Sequence, residues 1–223
     1  MSVNRQVQWR ETSSYAKSAD TRRTILDAAL SAFGEAGFNA VTTRQIADLA
    51  QVNQPAISYY FKNKQGLYLA CAHEIIDQYV ARVSDTTLKA LNVLEQDASP
   101  QTARTALKAL VRSLAELMIS SNDMSAAASF VEREMREPGL AYSLLYDNFW
   151  QPGVELAAHL VAAIKQIKRD DPTARVEAIM LISSLVAFSS DQSVAVQAMG
   201  WSAVKTPQLD LVLTALNKQI DAI

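Results

Sequence analysis

Nine residues between positions 42 and 64 form a candidate group for holding a nucleic acid, and the side chains of all of them except Pro55 can form hydrogen bonds. Their hydroxyl, amide, guanidinium and ammonium groups can reach phosphate oxygens and base edges. The group consists of Thr42, Thr43, Arg44, Gln54, Pro55, Ser58, Tyr59, Tyr60 and Lys64. Such contacts require one rigid surface, so the elements that carry these residues decide whether the group can act together.

The spacing predicts two short helices joined by a tight turn. Thr42 is a favourable N-cap, and Gln45 can reach back to the Thr42 backbone, which completes a capping box and starts the first helix near Thr43. Asn53 is a favourable N-cap for the second helix, and Pro55 fits the first turn, where backbone N–H groups have no helical partner. Two helices in this order form a helix-turn-helix.

The second helix has an inward apolar face and an outward polar face. At about 100° per residue, Ile57 and Phe61 point into the motif. Ser58 and Tyr59 point the other way and are free to meet a partner. The next helix carries Lys64 in its first turn, where a positive charge joins the free N–H groups of a helix start and favours a phosphate.

This segment resembles the DNA-binding domain of the TetR family of transcriptional regulators over roughly residues 20 to 70. The resemblance is carried by Phe33, Gly37, Phe38, Val41, Thr42, Thr43, Ile46, Ala47, Ala50, Tyr59, Tyr60, Phe61, Lys64 and Leu67. One departure is Gln51, where the family usually has a glycine that allows a positive φ in the turn. A non-glycine residue with a positive φ costs about 1 kcal/mol, which weakens the turn without excluding it.

The resemblance implies a homodimeric, sequence-specific DNA-binding regulator, a repressor that a small molecule releases from a near-palindromic operator duplex. We expect Tyr59 and Lys64 to contact the DNA backbone, and Arg44, Gln54 and Ser58 to lie nearer the base edges. The alternative is a helical interaction or enzyme module that has lost DNA binding. The intact polar and aromatic surface favours the regulator, because a module released from DNA has no physical need for it.

No arrangement of residues indicates catalysis, so we expect the chain not to be an enzyme. His73 and His159 are far apart in the sequence, and it contains no glycine-rich phosphate loop, paired-histidine metal motif or serine-elbow motif. The single cysteine, Cys71, cannot form an internal disulfide. We therefore expect neither a metal ion nor a cofactor.

Composition and charge fit a globular protein with one basic end. The chain has 223 residues, of which 49% are hydrophobic and 20% are charged. Residues 1–68 carry eight basic and five acidic side chains, which suits a head that meets DNA, and the remainder is acidic. The longest uncharged apolar stretch, residues 178–190, is too short to cross a bilayer, and no signal peptide is evident at the N-terminus. We expect a cytoplasmic location and no membrane partner.

Helical periodicity without strand-like alternation predicts an all-α fold in three segments. Residues 1–18 form a flexible arm whose basic residues either follow DNA or remain solvated. Residues 19–66 form a three-helix helix-turn-helix domain, and residues 67–223 form a helical-bundle domain for ligand binding and dimerisation. Gly37 should end the first helix, and Pro152 should kink or divide a later one.

The body also resembles a narrower group, the CecR-type subgroup of TetR regulators. The resemblance to its C-terminal domain is carried by the phrases YLACAHEI at residues 68–75 and SFVEREMREP at residues 129–138, and by the pair Gly200 and Trp201.

We expect the body to contain an effector cavity and a dimer interface. A largely apolar or aromatic effector would bind a cavity lined by Tyr79, Met118, Phe130, Arg133, Phe149, Trp150 and Met180. Each of these residues could instead belong to a filled core. Excess apolar surface on the last two long helices predicts a four-helix bundle with a symmetry mate, formed by Ile179, Ile182, Val186, Leu209, Val212, Leu213, Leu216 and Ile220.

Overall fold

The computed structural model describes the backbone of residues 3–96, 99–119, 125–189 and 193–223, and within these ranges the side chains from residue 18 onward except that of residue 125. Every regular element in these ranges is helical, so the all-α fold class is confirmed. The helices are α1 (Val3–Ala40), α2 (Thr43–Leu49), α3 (Gln54–Phe61), α4 (Lys64–Glu95), α5 (Pro100–Ile119), α6 (Ser125–Arg136), α7 (Tyr142–Leu145), a π-helix (Tyr146–Trp150), α8 (Gln151–Lys165), α9 (Pro172–Val186), α10 (Val194–Ala198) and α11 (Thr206–Asp221).

The chain folds as two compact units. The head unit contains residues 1–75 and 124–144, and the body unit contains residues 76–123 and 145–223. The first part of α4 and the whole of α6 therefore belong to the head unit. This division differs from the sequence-based expectation, which places the boundary between residues 66 and 67.

Aromatic packing explains why α4 and α6 contribute to the head unit. The ring centroid of Tyr68, near the start of α4, lies 4.9 Å from that of Phe33 in α1. It also lies 4.6 Å from the ring centroid of Phe130 in α6. All three side chains are almost completely buried. The helix-turn-helix core is therefore completed by helices on its C-terminal side, which a boundary drawn at the end of the motif omits.

α1 begins earlier than predicted and is interrupted at Gly37, where the sequence predicts its end. The sequence predicts a flexible arm over residues 1–18, but the backbone is helical from Val3, so that prediction is wrong for residues 3–18. The sequence contains no glycine or proline before Gly34, and nothing in this stretch stops a helix. Residues 1 and 2 lie outside the described residues. Towards the other end, Gly37 has φ 81° and ψ 169°, which interrupts the helix at the predicted position, and a short helical segment continues from there to Ala40.

Gly34 allows α6 to approach α1 closely. A Cβ atom at this position would lie 2.7 Å from the carbonyl oxygen of Ala126 and 3.3 Å from the backbone nitrogen of Phe130. Both are backbone atoms, which cannot rotate away as the end of a side chain can. The contact between the two helices therefore requires a residue without a side chain.

The core of the body unit lies among α5, α8, α9 and α11. α8 packs against α5 and α9, and α11 packs against α5. At one end of the α5–α11 contact, Arg104 Nε donates to the carbonyl oxygen of Ile220 at 3.3 Å, and Lys108 pairs with Asp221 at 2.6 Å. None of the described helices is both long enough and apolar enough to cross a membrane.

Pro152 divides a helical stretch, as predicted. The π-helix Tyr146–Trp150 precedes α8, and the Gln151 N–H donates to the carbonyl oxygen of Tyr146, five residues earlier. A proline has no N–H to donate and its ring crowds the preceding turn, so regular α-helical bonding cannot continue through this position. Phe149 and Trp150 therefore lie on a widened turn.

Two glycine substitutions test the helix contacts. Gly34→Ala should lower the free energy of unfolding by about 1–3 kcal/mol, because its Cβ would overlap the Ala126 carbonyl. The matched control is Gly153→Ala in α8, whose Cβ would lie an ordinary 3.5 Å from the Tyr79 hydroxyl. It should raise stability by up to about 1 kcal/mol, because alanine is the better helix former. Urea denaturation followed by circular dichroism measures the free energy of unfolding of both variants. An unchanged value for Gly34→Ala would contradict the close α1–α6 contact.

Candidate nucleic-acid interface

Hydrogen bonds fix the starts of both helices of the helix-turn-helix. Thr42 Oγ1 accepts from the Gln45 N–H at 3.2 Å, and Gln45 Oε1 accepts from the Thr42 N–H at 2.8 Å. The predicted capping box is thereby confirmed. Asn53 Oδ1 accepts from the Ala56 N–H at 3.1 Å and caps α3, with Pro55 in the first turn as predicted.

The turn between α2 and α3 contains a non-glycine residue in the left-handed region. Gln51 has a φ of 54°, which is the conformation that glycine favours. The Val52 N–H donates to the Ala47 carbonyl oxygen at 3.0 Å and closes the turn. The chain therefore forms the expected turn at a local cost of about 1 kcal/mol.

A side-chain hydrogen bond joins the first residues of α2 and α3. Gln54 Nε2 donates to Thr43 Oγ1 at 3.1 Å. These two residues begin their helices, so the helix starts, whose first N–H groups have no helical partner, lie side by side. Two separate elements thus present one polar surface.

Most of the predicted contact residues are exposed on this surface. The exposed members are Thr42, Arg44, Gln54, Pro55, Ser58 and Tyr59. Tyr59 is 80% exposed, which is unusual for a large aromatic side chain and leaves its ring and hydroxyl available to a partner. The half-buried members are Thr43, Tyr60 and Lys64.

α1 contributes to this surface in a way that the sequence did not indicate. Tyr60 Oη lies 3.0 Å from Ser18 Oγ, and the Tyr59 ring packs edge-on against the Tyr60 ring with centroids 4.9 Å apart. Thr21 lines an open hollow of about 510 Å³ together with residues of the turn and of α3 that include Pro55 and Tyr59. Because residues 1–18 were predicted to be irregular, no sequence signal placed Ser18 beside α3.

Lys64 is held by the end of α1. Its Nζ donates to the carbonyl oxygens of Phe38 and Val41 at 2.9 Å and 3.0 Å, and lies 4.2 Å from the centroid of the Phe38 ring. An ammonium group has three N–H donors, so one remains beyond these two bonds. Lys64 therefore stabilises the head unit, and its contact with a phosphate stays a prediction.

Two residues predicted to line the effector cavity belong instead to the head unit. Phe130 is completely buried against Tyr68. Arg133 Nη2 donates to the Glu35 carbonyl oxygen at 2.7 Å, and its Nε donates to the Gly34 carbonyl oxygen at 3.4 Å. The guanidinium thus binds carbonyl groups at the end of α1, where a cation is favoured. For these two residues the cavity assignment is wrong.

The remaining predicted cavity residues belong to the body unit, where three of them form an aromatic cluster. Tyr79, Phe149 and Trp150 lie together, with 4.2 Å between the Tyr79 and Phe149 ring centroids and 5.4 Å between those of Phe149 and Trp150. Burial raises the pKa of Tyr79 above its usual value. Met180 is 64% exposed on α9 and is wrongly assigned to a cavity, whereas Met118 is half-buried.

The predicted dimer residues are mostly buried inside the chain. Six of them are at most 6% exposed and cannot present apolar surface to a partner: Ile182, Leu209, Val212, Leu213, Leu216 and Ile220. The α11 stripe faces α5 of its own chain, so its assignment to an interface is wrong. Ile179 and Val186 are 45% and 43% exposed and remain available. Val176 and Met180 are exposed on the same helix, and Leu211 on α11.

Glu134 is a buried carboxylate in the charged run of α6. It is 3% exposed and accepts hydrogen bonds from the Tyr68 hydroxyl at 2.6 Å, the Gly139 N–H at 3.1 Å and the Ala141 N–H at 3.2 Å. Burial, and then the bond to Glu134, raise the pKa of Tyr68. The carboxylate therefore ties α6 to α4 and to the segment after α6. Among the described residues, no group of His, Cys, Asp or Glu side chains could hold a metal ion.

Two protein-family models match the sequence, one over the helix-turn-helix head and one over the helical body. The model for bacterial regulatory proteins of the tetR family matches residues 25–71, and the model for the C-terminal domain of the HTH-type transcriptional dual regulator CecR matches residues 103–223. The chain is 30% identical to the dual regulator CecR of Shigella flexneri over 210 residues, which are 93% of this chain and 92% of that protein. The chain therefore belongs to the TetR family of transcriptional regulators, in the group with the CecR C-terminal domain.

Solved structures share the fold at lower sequence identity. AibR in complex with isovaleryl coenzyme A and operator DNA has a TM-score of 0.60 at 14% identity, over 89% of this chain and 97% of that one. FadR from Bacillus subtilis in complex with stearoyl-CoA has a TM-score of 0.58 at 17% identity, over 89% and 96% of the two chains. At these identities the likeness concerns the fold alone.

The strained turn gives a stability test. Gln51→Gly should raise the free energy of unfolding by up to about 1 kcal/mol, because glycine adopts a positive φ without steric cost. The control is Gln65→Gly in the first turn of α4, which should lower stability because its backbone is helical. Urea denaturation distinguishes the two variants, and a loss of stability in Gln51→Gly would contradict the left-handed conformation.

Proposed function

We propose that this protein is a cytoplasmic, homodimeric repressor that binds a near-palindromic operator duplex through α2 and α3 and is released by a small-molecule effector bound in the body unit. The observation that carries the proposal is the hydrogen bond between Gln54 and Thr43, which joins two helix starts into one exposed polar surface. Anionic phosphates are favoured at such helix starts, and exposed amide and hydroxyl groups suit base edges.

The contacts divide into two kinds. Tyr59 and Lys64 would meet phosphates, Tyr59 through an exposed hydroxyl and Lys64 through its remaining N–H donor. Arg44 and Gln54 are exposed in the first turns of their helices, Ser58 is exposed one turn further along α3, and all three would reach base edges in the major groove. Thr42, Thr43, Pro55 and Tyr60 would flank these contacts. The last two shape the hollow beside α3.

Operator binding should respond differently to the two kinds of substitution. Lys64→Ala should reduce the slope of log affinity against log salt by about 0.9, because one phosphate contact is lost. Gln54→Ala should weaken binding to an operator selected from random duplexes while leaving the salt slope and the affinity for a scrambled duplex unchanged. Fluorescence anisotropy at several salt concentrations measures both effects.

Two controls accompany this experiment. Lys89→Ala changes an exposed lysine of the body unit, paired with Asp85, and should leave affinity and salt slope unchanged. Thermal denaturation of Lys64→Ala is needed because this variant also loses two hydrogen bonds within the head unit. An unchanged salt slope in a folded Lys64→Ala chain would contradict the phosphate contact.

The dimer interface is proposed on the outward face of α9. Val176, Ile179, Met180 and Val186 are between 43% and 64% exposed, and their spacing places them along one side of the helix. A row of large apolar side chains in water indicates a binding surface. This face of α9, together with Leu211 of α11, would pack against the same two helices of a second subunit and form a four-helix bundle. A twofold dimer places two recognition helices about 34 to 36 Å apart, in successive major grooves.

Met180→Glu should convert the dimer to a monomer and lower operator affinity by more than about tenfold, because an unpaired charge in an apolar interface is costly and a single head binds only half of the operator. The matched control is Leu88→Glu, which places the same charge at an exposed leucine of α4 in the body unit and should leave the dimer intact. Sedimentation equilibrium measures the oligomeric state. A dimer that survives Met180→Glu would refute this interface.

Release by an effector is supported by fold relatives that bind small molecules. AibR and FadR were solved with isovaleryl coenzyme A and stearoyl-CoA, respectively. In this chain α4 supplies residues to both units, so a change in its position would reach both the effector site and Lys64. Coupling of this kind is typically about 1–3 kcal/mol, or roughly 5- to 150-fold in operator affinity. An interaction or enzyme module without DNA binding remains the alternative, which the anisotropy experiment excludes if operator binding is observed.

A further inference from the structure

The aromatic cluster of the body unit, Tyr79, Phe149 and Trp150, contains a hydrogen-bond donor without an acceptor. Trp150 Nε1 is shielded from solvent and has no hydrogen-bond partner among the described residues. The indole N–H can only donate, so it cannot be satisfied by a neighbouring donor. A buried donor left in this state lowers stability, and native proteins leave few of them unexplained.

The backbone around this donor is also irregular. Trp150 is the last residue of the π-helix, and Pro152 prevents regular α-helical bonding immediately after it. π-helical turns are rare and are found frequently at functional sites. Two independent observations, an unsatisfied side-chain donor and a widened turn, therefore meet at one residue.

The neighbouring side chains define what could bind there. The Phe149 ring packs edge-on against the indole ring with centroids 5.4 Å apart, and Tyr79 packs against Phe149 at 4.2 Å. Tyr79 is 8% exposed, so its ring forms a dry wall. Gly153 follows on α8 and has no side chain in front of the Tyr79 hydroxyl. These surroundings suit an aromatic ring that carries one hydrogen-bond acceptor.

We propose that the effector is an aromatic molecule whose carbonyl or comparable acceptor oxygen receives a hydrogen bond from Trp150 Nε1 while its ring packs against Phe149 and Tyr79. This inference rests on the proposed function, because it names the chemistry of the effector that releases the operator. The oxygen satisfies the indole N–H, and the ring adds apolar contacts with Phe149 and Tyr79. Recognition then depends on one polar atom in an otherwise apolar molecule.

Acetophenone and α-methylstyrene provide a matched pair of probes. They have the same shape, and differ in that the carbonyl oxygen of acetophenone is a methylene group in α-methylstyrene. The protein labelled with ¹⁵N at its three tryptophans gives separate indole signals for Trp9, Trp150 and Trp201. We expect acetophenone to move the Trp150 indole proton downfield and to bind at least about fivefold more tightly than α-methylstyrene, as one additional hydrogen bond provides.

The substitution Trp150→Phe keeps an aromatic ring and removes the donor. It should abolish the preference for acetophenone, whereas Trp201→Phe, the control at the other body-unit tryptophan, should retain it. Equal affinities for the two probes, no shift of the Trp150 signal, or a preference that survives Trp150→Phe would each overturn the proposal. The indole shift is measured on the unsubstituted chain, so the test remains decisive if Trp150→Phe fails to fold.

Operator binding is measured separately on the same preparation. If the chain binds its operator but shows no preference between the probes, the effector chemistry is wrong and the regulator stands. If the preference is present but no duplex selected from random sequences binds, the site at Trp150 stands and the proposed DNA-binding function fails.

Discussion

The unsatisfied carbonyl groups at the end of α1 are the constraint on which the head unit depends. A helix leaves its last carbonyl groups without intrahelical donors, and burying them unpaired is costly. Arg133 of α6 donates to Gly34 and Glu35, and Lys64 of α4 donates to Phe38 and Val41. Two cations from distant parts of the sequence therefore satisfy carbonyl groups in the last turn before Gly37 and in the segment after it, and they hold α6 and α4 against this part of the chain.

These hydrogen bonds give both cations a structural role within the head unit. The sequence predicts that Lys64 contacts a phosphate and that Arg133 lines an effector cavity. Both interpretations treated a cation as a group that seeks an external partner. The structure gives each of them internal acceptors. Arg133 binds the last carbonyl groups before Gly37, where the helix field favours positive charge, and Lys64 binds two carbonyl groups beyond that point. A basic residue among apolar residues in a sequence therefore does not by itself indicate a ligand-binding site.

Features that depend on neighbouring residues were predictable. The capping box of Thr42 and Gln45, the end of the helix at Gly37, the turn at Gln51 and the division at Pro152 each follow from the chemistry of a few adjacent positions. The element that covers an apolar stripe was not predictable. Hydrophobic periodicity identifies a face to be buried, but it cannot tell whether α5 of the same chain or a second subunit covers the α11 stripe.

Glu134 illustrates another limit of sequence patterns. It lies in a run of alternating charges that is typical of a solvated helix, yet its carboxylate is buried with three donors around it. Two of these donors are backbone groups that follow Pro138, whose positions depend on the path of the chain after α6. Periodicity contains no information about that path. A buried carboxylate of this kind becomes visible only when the backbone is known.

The dimer interface proposed on the outward stripe of α9 would separate the choice of partner subunit from the folding of the chain. Its apolar side chains contribute little to the core of their own chain, whereas those of α11 are needed there. Substitutions along α9 can therefore alter which subunits associate without unfolding the protein that carries them. In a cell that contains several regulators of this fold, this one surface could diverge until subunits of different regulators no longer mix, while the rest of the body stays unchanged.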